Sequence, residues 1–148
     1  MKIAIGCDHG GYDLKESLLK YLIEQGNEVK DFGSYDGSAV DYPQIGADVG
    51  KHVVNGKAEF GVLICSTGIG ISISANKVKG VRAALCAEPH SAEMTRRHNN
   101  ANVICFGGHM VSDVMAKKML DIFLTTEFEG GRHQRRIDLI TDIEEGKL

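Results

Sequence analysis

A thiol, two hydroxyls and two glycines fall together at residues 65–70, whose sequence is Cys-Ser-Thr-Gly-Ile-Gly. An apolar run at residues 60–64 comes directly before them and is typical of a buried strand, because it is too short for a helix. A glycine turn at the end of such a strand directs backbone N–H groups at one small volume, which suits an anion or a developing oxyanion. We expect the Cys65 thiol beside it to ionise more readily than a free thiol and to act as base or nucleophile. The pattern predicts an enzyme.

Other reactive side chains come at the ends of other predicted elements. Cys7, Asp8 and His9 directly follow the first apolar run, whereas His98 and Asn99 end a helical segment just before the fifth predicted strand. In α/β sheets, ligands bind outside the carboxyl ends of the strands. The residues after the first and third predicted strands are therefore candidates for one shared site.

The spacing of the cysteines does not match that of a zinc site. The chain has four cysteines, but their spacing is irregular, and cysteine is among the residue types most often buried. We therefore expect no bound metal and assign Cys7, Cys86 and Cys105 to packing or to pocket walls.

A nucleotide site is the closest rival interpretation of the glycine turn. Gly68 and Gly70 begin a dinucleotide-binding pattern, and Glu88 follows about 20 residues later, where such a site carries an acidic residue. However, Ile73 occupies the position of the third glycine, and the turn follows the third predicted strand instead of the first. No Gly-Lys-Ser/Thr sequence follows either, so we expect no nucleotide cofactor.

Strands and helices are predicted to alternate along the chain. The predicted strands are 2–6, 28–32, 60–64, 81–86 and 102–106, and the predicted helices are 12–25, 42–54, 91–98 and 112–124. Asp41 is the predicted N-cap of the second helix, with Pro43 in its first turn. This alternation predicts parallel βαβ units, hence a three-layer α/β/α sandwich around a Rossmann-like, five-stranded parallel sheet. A length of 148 residues predicts one domain, residues 1–148.

The last segment, residues 126–148, is polar and is predicted to form a C-terminal arm with a short helix. Arg132 and Arg136 are four residues apart and would share one face of that helix. Because arginine presents forked donors that match phosphate, the arm is a candidate phosphate-binding element.

The composition limits the classes of binding partner and the cellular compartments that we expect for this protein. A formal net charge of −3 gives no basic excess for nucleic acid. The N-terminal apolar run is too short for a signal peptide, and no run approaches membrane-spanning length, so we expect no membrane partner. The four cysteines form no CxxC pair, which favours reduced thiols and a cytoplasmic location.

Five motifs occur in the same order as in one known family. They are Cys-Asp-His-Gly-Gly at 7–11, Asp-Tyr-Pro at 41–43, the segment 65–77, Arg-His-Asn at 97–99 and Glu-Gly-Gly-Arg-His at 129–133. Together they resemble the B-type ribose-5-phosphate isomerases, within a wider group that includes allose-6-phosphate and galactose-6-phosphate isomerases. The resemblance covers essentially the whole chain, and five motifs in register are more specific than any one.

The resemblance implies an aldose–ketose isomerase of the pentose phosphate pathway that works through an enediolate without metal or organic cofactor. It implies that Cys65 is the base, that Thr67 relays protons and that His98 opens the furanose ring. It further implies a set of substrate-binding residues, with the backbone amides of the glycine turn holding the enediolate oxygen: Asp8, His9, Tyr42, Ser66, Gly68, Ile69, Gly70, Asn99, Arg132 and Arg136.

The resemblance also implies a homodimer or tetramer, in which the arm at 126–148 reaches into the neighbouring subunit's active site. Two residues depart from the family pattern: Ser66 replaces a usual glycine, and His109 replaces an arginine that helps to bind phosphate. The Gly-Gly-Arg-His sequence of the arm favours ribose 5-phosphate as the substrate. Isomerisation of allose or galactose 6-phosphate stays open, as does a non-catalytic sugar-phosphate or nucleotide-binding module.

Overall fold

The protein is described by a computed structural model of residues 1–148, in which five strands alternate with helices. The strands are β1 (Lys2–Cys7), β2 (Glu28–Asp31), β3 (Phe60–Cys65), β4 (Ala83–Leu85) and β5 (Val103–Gly107). The helices are α1 (Tyr12–Glu24), α2 (Tyr42–Val54), α3 (Ile69–Ala75), α4 (Pro89–Asn99), α5 (Asp113–Thr125) and α6 (Arg132–Glu144), and a 3₁₀ turn at His9–Gly11 precedes α1.

The five strands form one parallel sheet in the order β2-β1-β3-β5-β4. Successive strands are added on one side of β1 and then on the other, so the strand order reverses between the parallel neighbours β1 and β3, where Ile3 pairs with Phe60 and Cys7 with Ile64. Such a reversal opens a crevice at the carboxyl ends of the two strands. The predicted three-layer, Rossmann-like architecture is confirmed.

Helices cover both faces of the sheet, and alternate residues of each central strand point into the two cores. Val62 and Ile64 of β3 pack with α1, α4 and α5 on one face, whereas Leu63 and Cys65 pack with α2 and α3 on the other. Burial on both faces explains why β1, β3 and β5 are almost continuous apolar runs, which made them the clearest elements in the sequence.

Most predicted boundaries agree with the structure to within one residue, and three predicted elements differ from it more clearly. β4 is shorter than the predicted 81–86 because the Val81 N–H donates to the Val78 carbonyl in a turn instead of to a neighbouring strand. α4 begins before the predicted 91 because the Glu88 carboxylate accepts hydrogen bonds from the N–H groups of His90 and Ser91. The arm's helix is not short, since α6 has 13 residues.

The second helix has the predicted bounds, but its predicted cap is absent. Asp41 precedes α2 with extended backbone, yet its side chain makes no cap hydrogen bond. None of the helices is both long and apolar enough to cross a membrane.

α4 runs from the carboxyl ends of the strands back to their amino ends. It starts beyond the carboxyl end of β4 and ends before β5 begins, and its 11 residues span about 16 Å at 1.5 Å per residue. The two ends of α4 therefore lie at opposite ends of the strands, which we call the carboxyl edge and the amino edge of the sheet. His98 and Asn99 are at the amino edge.

Candidate active site

The Cys65 thiol lies at the carboxyl end of β3, at the mouth of the crevice between β1 and β3. The side chain is buried, and the Gly68 backbone N–H donates a hydrogen bond to Cys65 Sγ over 3.1 Å. This N–H group therefore faces the sulfur atom that the sequence analysis predicts to be the base.

Gly68 can make that contact because its backbone is left-handed, with φ of +79°. A Cβ at this position would lie 2.5 Å from the Leu85 side chain and 2.8 Å from the Phe106 carbonyl carbon. Any side chain would therefore be strained in conformation and also overlap its neighbours. The turn that directs N–H at sulfur needs glycine here.

The other three thiols are held in the neutral form. Burial raises the pKa of Cys7 to about 12 and that of Cys86 to about 11, and it raises the pKa of Cys105 well above its usual value. All three are 0–1% exposed, and none is in a disulfide. They have the environment of packing residues, as predicted.

Backbone donors are available in the turn after Cys65. The N–H groups of Ser66 and Thr67 donate to no acceptor within the chain, and the exposed Thr67 hydroxyl accepts a hydrogen bond from the Ile69 N–H over 3.3 Å. Such unpaired donors beside a base can hold a negative oxygen.

Ser66, the departure from the family pattern, packs against Gly10. A Cβ at Gly10 would overlap the Ser66 hydroxyl and lie 3.0 Å from the Ser66 backbone nitrogen. The absence of a side chain at residue 10 therefore leaves the space that the Ser66 hydroxyl occupies. His109 lies on the other side of the same turn, since its N–H donates to the Ser66 carbonyl over 3.0 Å.

Asp8 and His9 approach Cys65 from the end of β1. Asp8 is buried, and its carboxylate accepts a hydrogen bond from the Gly10 N–H over 2.9 Å. Its own N–H donates to the Ile64 carbonyl over 3.2 Å, which ties the ends of β1 and β3 together. His9 is exposed beside it.

Tyr42 borders the turn from the start of α2. A Cβ at Gly70 would lie 2.6 Å from the Tyr42 ring and 3.0 Å from its hydroxyl, so the ring lies against the Gly70 backbone. The structure thus brings together nine of the predicted site residues, which we call the carboxyl-edge cluster: Asp8, His9, Tyr42, Cys65, Ser66, Thr67, Gly68, Ile69 and Gly70.

The remaining four predicted residues lie at the opposite edge of the sheet. His98 and Asn99 are the last two residues of α4, and the Arg82 guanidinium beside the start of β4 donates to the Asn99 carbonyl over 2.9 Å. The arm joins them there, because the Glu129 N–H donates to the Arg97 carbonyl over 3.1 Å. We call His98, Asn99, Arg132 and Arg136 the amino-edge cluster. One chain does not place them beside Cys65.

His133 belongs to the same edge and was not singled out from the sequence. Its ring stacks on that of His98, with centroids 4.2 Å apart and planes 12° apart. His133 is buried, and its Nε2 has no hydrogen-bond partner. Burial lowers the pKa of His133, and the nearby positive charges of His98, Arg132 and Arg136 lower it further against the opposing effect of Glu129. Its place in the Glu-Gly-Gly-Arg-His motif was the available signal.

The same edge contains the chain's one grouping of potential metal ligands. Ligand atoms of His98, Glu129 and His133 lie within 4.8 Å of one another. An imidazole directs its lone pair in the plane of the ring, so two parallel stacked rings cannot both aim lone pairs at one ion between them. Glu129 also faces Arg97, with Oε1 and Nη1 3.8 Å apart. The arrangement does not fit a metal centre.

A cavity with mostly apolar walls lies away from Cys65. It has a volume of about 440 Å³ and is bordered by β4, the end of α4 and the outer turns of α6. Its apolar walls include Val81, Ile140 and Ile143, and Asn99 of the amino-edge cluster lies at its margin.

Comparison with known proteins gives matches along the whole fold. The family model described as Ribose/Galactose Isomerase matches residues 3–140. The chain is 46% identical over 144 residues to ribose-5-phosphate isomerase B of Escherichia coli (strain K12), covering 97% of each chain. It superposes on Clostridium thermocellum ribose-5-phosphate isomerase B with a TM-score of 0.98 at 45% identity over 100% of both chains. The Mycoplasma genitalium enzyme with bound ribulose-5-phosphate gives 0.93 at 42% identity, covering 97% of this chain and 96% of that one.

Proposed function

The chain belongs to the ribose/galactose isomerase family, and from that membership we propose that it interconverts ribose 5-phosphate and ribulose 5-phosphate, a step of the pentose phosphate pathway. The observation that carries the proposal is the Cys65 thiol, hydrogen-bonded by the Gly68 N–H beside the free donors of the turn. Aldose–ketose isomerisation moves one proton between C2 and C1, so it needs one base beside one oxyanion site. The carboxyl-edge cluster supplies both.

Ring opening is the first step, because ribose 5-phosphate is mostly a furanose. A proton must leave the anomeric hydroxyl and another must reach the ring oxygen, and an imidazole near neutral pH can exchange both. We assign this exchange to His98, whose ring is half-buried at the end of α4 with Asn99 exposed beside it to bind a sugar hydroxyl.

Proton transfer follows in the open chain. The Cys65 thiolate removes the C2 proton, and the negative charge moves to the oxygen on C1 as the enediolate forms. The N–H groups of Ser66 and Thr67 stabilise that oxygen, while the Thr67 hydroxyl passes a proton between the two oxygens. The proton then returns to C1, which gives the ketose. Asp8 orients a sugar hydroxyl from the end of β1.

The phosphate requires fixed positive charge at a distance from Cys65. Arg132 and Arg136 lie one turn apart on α6, are both exposed, and have no carboxylate within ion-pair distance. Free guanidinium groups suit a phosphate dianion, and the exposed His9 of the carboxyl-edge cluster can donate a further hydrogen bond to it.

We propose that each active site is shared by two subunits. His98, Asn99 and the two arginines lie at the amino edge, about 16 Å along α4 from the carboxyl edge that holds Cys65. A sugar phosphate is too short to contact both edges of one chain. A homodimer, alone or doubled into a tetramer, solves this when the arm and the end of α4 of one subunit meet the carboxyl-edge cluster of the other.

Exposed apolar side chains support an interface on these elements. Ile69 and Ile73 of α3, Leu85 at the end of β4, and Ile140 and Ile143 of α6 are all exposed in the single chain. Burying one such side chain contributes about 1.5–3 kcal/mol, so covering several of them favours association. We place the protein in the cytoplasm, because all four of its thiols are free and a reducing compartment maintains them.

Allose 6-phosphate and galactose 6-phosphate are the alternative substrates, since the family model describes both ribose and galactose isomerases. The deciding experiment measures ketose formation from ribose 5-phosphate, allose 6-phosphate and galactose 6-phosphate by the same enzyme. We expect the highest kcat/KM with ribose 5-phosphate. A higher value for a hexose phosphate would reassign the substrate, and saturable binding without ketose formation would indicate a binding module.

The matched variants are Cys65→Ala and Cys86→Ala. Cys65→Ala should lower kcat at least about 1,000-fold, because the base is lost, whereas Cys86→Ala should keep wild-type kcat since that thiol is buried and neutral. Circular dichroism checks that both variants fold. Turnover by Cys65→Ala close to the wild-type value would mean that another group is the base.

A further inference from the structure

We infer that His133 is a positioning residue, whose buried ring holds the His98 imidazole in the orientation that ring opening requires. The inference rests on the proposed function, in which His98 exchanges protons with the cyclic sugar. It adds a residue to that machinery that does not itself touch the reacting atoms.

Of the two stacked rings, that of His133 is buried and that of His98 is only half-buried. His133 is 5% exposed at the second position of α6, and its N–H donates to the Gly130 carbonyl over 3.1 Å. His98 is half-buried near the end of α4, with its ring against that of His133. Contact between ring faces at 4.2 Å restricts the rotation of His98, since turning its plane would collide with the immobile His133 ring.

Hydrogen bonding does not explain the burial of His133. Its Nε2 has no partner, and the nearest carboxylate oxygen, Glu129 Oε2, is 3.8 Å away, beyond hydrogen-bond length. A buried polar atom without a partner is unfavourable, so a phenyl ring would be more stable at this position. The contact that His133 makes well is the one between ring faces.

The pKa of His133 supports the same assignment, in which His133 acts only through its ring. The pKa of His133 is lowered by burial first, and then by His98, Arg132 and Arg136 around it. His133 therefore stays a neutral flat surface beside a phosphate-binding region that is already cationic. This fits a role for His133 through ring contact, with His98 as the ring that faces the sugar in the proposed function.

Ring opening can be measured separately from proton abstraction. Ribulose 5-phosphate cannot form a furanose, because its C5 oxygen carries the phosphate. Exchange of its C1 hydrogen with D₂O therefore needs Cys65 but no ring chemistry, whereas conversion of ribose 5-phosphate needs both. NMR reads deuterium at C1 of ribulose 5-phosphate, and a coupled assay reads the forward conversion.

His133→Gln removes the flat ring and should lower kcat for ribose 5-phosphate about 10- to 100-fold, with C1 exchange within about twofold of wild type. His133→Phe retains a flat ring and should keep the forward rate within about threefold, because Nε2 has no partner to lose. The melting temperature of each variant checks folding, and the Phe variant decides the question alone if the Gln variant does not fold.

Two results would overturn the inference. Equal loss of conversion and of C1 exchange in His133→Gln would make His133 a substrate-binding or structural residue. A His133→Phe variant that loses the forward rate but retains C1 exchange would show that ring opening needs a nitrogen of the His133 ring and not the stacking contact. A wild-type enzyme that catalyses neither reaction would instead refute the proposed function, so the two failures are distinguishable.

Discussion

At the scale of single residues, the four thiols differ by environment and not by chemistry. Cys65 accepts a backbone hydrogen bond at the end of β3, whereas Cys7, Cys86 and Cys105 are enclosed by apolar side chains that raise their pKa values. Because the thiolate is the reactive form, chemical modification should be selective.

We expect iodoacetamide at pH 8 to modify Cys65 alone in the folded protein. At that pH the thiolate fraction of Cys86, with a pKa of about 11, is roughly one in a thousand, and that of Cys7 is lower still. Mass spectrometry should find one modified residue in the wild type and none in Cys65→Ala. The denatured proteins, with four and three modified residues, serve as the control. Rapid modification of Cys7 or Cys86 in the native protein would contradict this account.

Much of the Cys65 turn could be predicted because glycine, thiol and hydroxyl follow an apolar strand in consecutive positions. The packing of Ser66 on Gly10 could not, since it joins two turns that are far apart in sequence. His133 was also missed, because a single histidine in a basic segment gives no sign that another ring lies 4.2 Å away.

At the scale of elements, a buried ion pair fixes the loop that leads from β2 towards Tyr42. Lys15 of α1 is fully buried, with Nζ 2.8 Å from Asp31 Oδ2 and 2.7 Å from Glu16 Oε1. The other Asp31 oxygen accepts from the Gly33 N–H over 2.8 Å. Burial lowers the pKa of Lys15, but the hydrogen bonds to Asp31 and Glu16 outweigh it, so the pKa is raised and the amine is charged.

Lys15→Met should destabilise the protein by about 3 kcal/mol, because it leaves the mostly buried Asp31 carboxylate without its cation. Urea unfolding at one fixed protein concentration measures the change. The double variant Lys15→Met/Asp31→Asn should recover part of the loss, since no unpaired charge remains. A Lys15→Met protein as stable as the wild type would show that the pair contributes nothing.

Element types were predictable where periodicity was strong, and positions in space were harder to predict. β1, β3 and β5 are buried on both faces and were clear as apolar runs, whereas the edge strand β4 is three residues long and was overestimated. The family resemblance assigned His98 and Asn99 to the same site as Cys65. The connection through α4 places them at the amino edge, because a crossover helix runs back along its sheet.

At the scale of the whole molecule, the proposed site residues form two groups on opposite edges of one sheet. The carboxyl-edge cluster contains the proposed base and oxyanion donors, and the amino-edge cluster contains the histidine and arginines to which we assign ring opening and phosphate binding. Apolar side chains of α3, β4 and α6 are exposed on the single chain. In the function we propose, each group is completed only by a second copy, so activity depends on assembly.

Complementation between two inactive variants tests this claim most directly. Cys65→Ala and His98→Asn subunits carrying different affinity tags are refolded together, and the dimer that binds both tags is isolated. One of its two sites then combines an intact Cys65 with the partner's intact His98, so we predict about half of the wild-type kcat per dimer. A dimer of wild type and Cys65→Ala, with the same expected activity, is the control. A mixed dimer as inactive as its parents, beside an active control, would contradict the shared site.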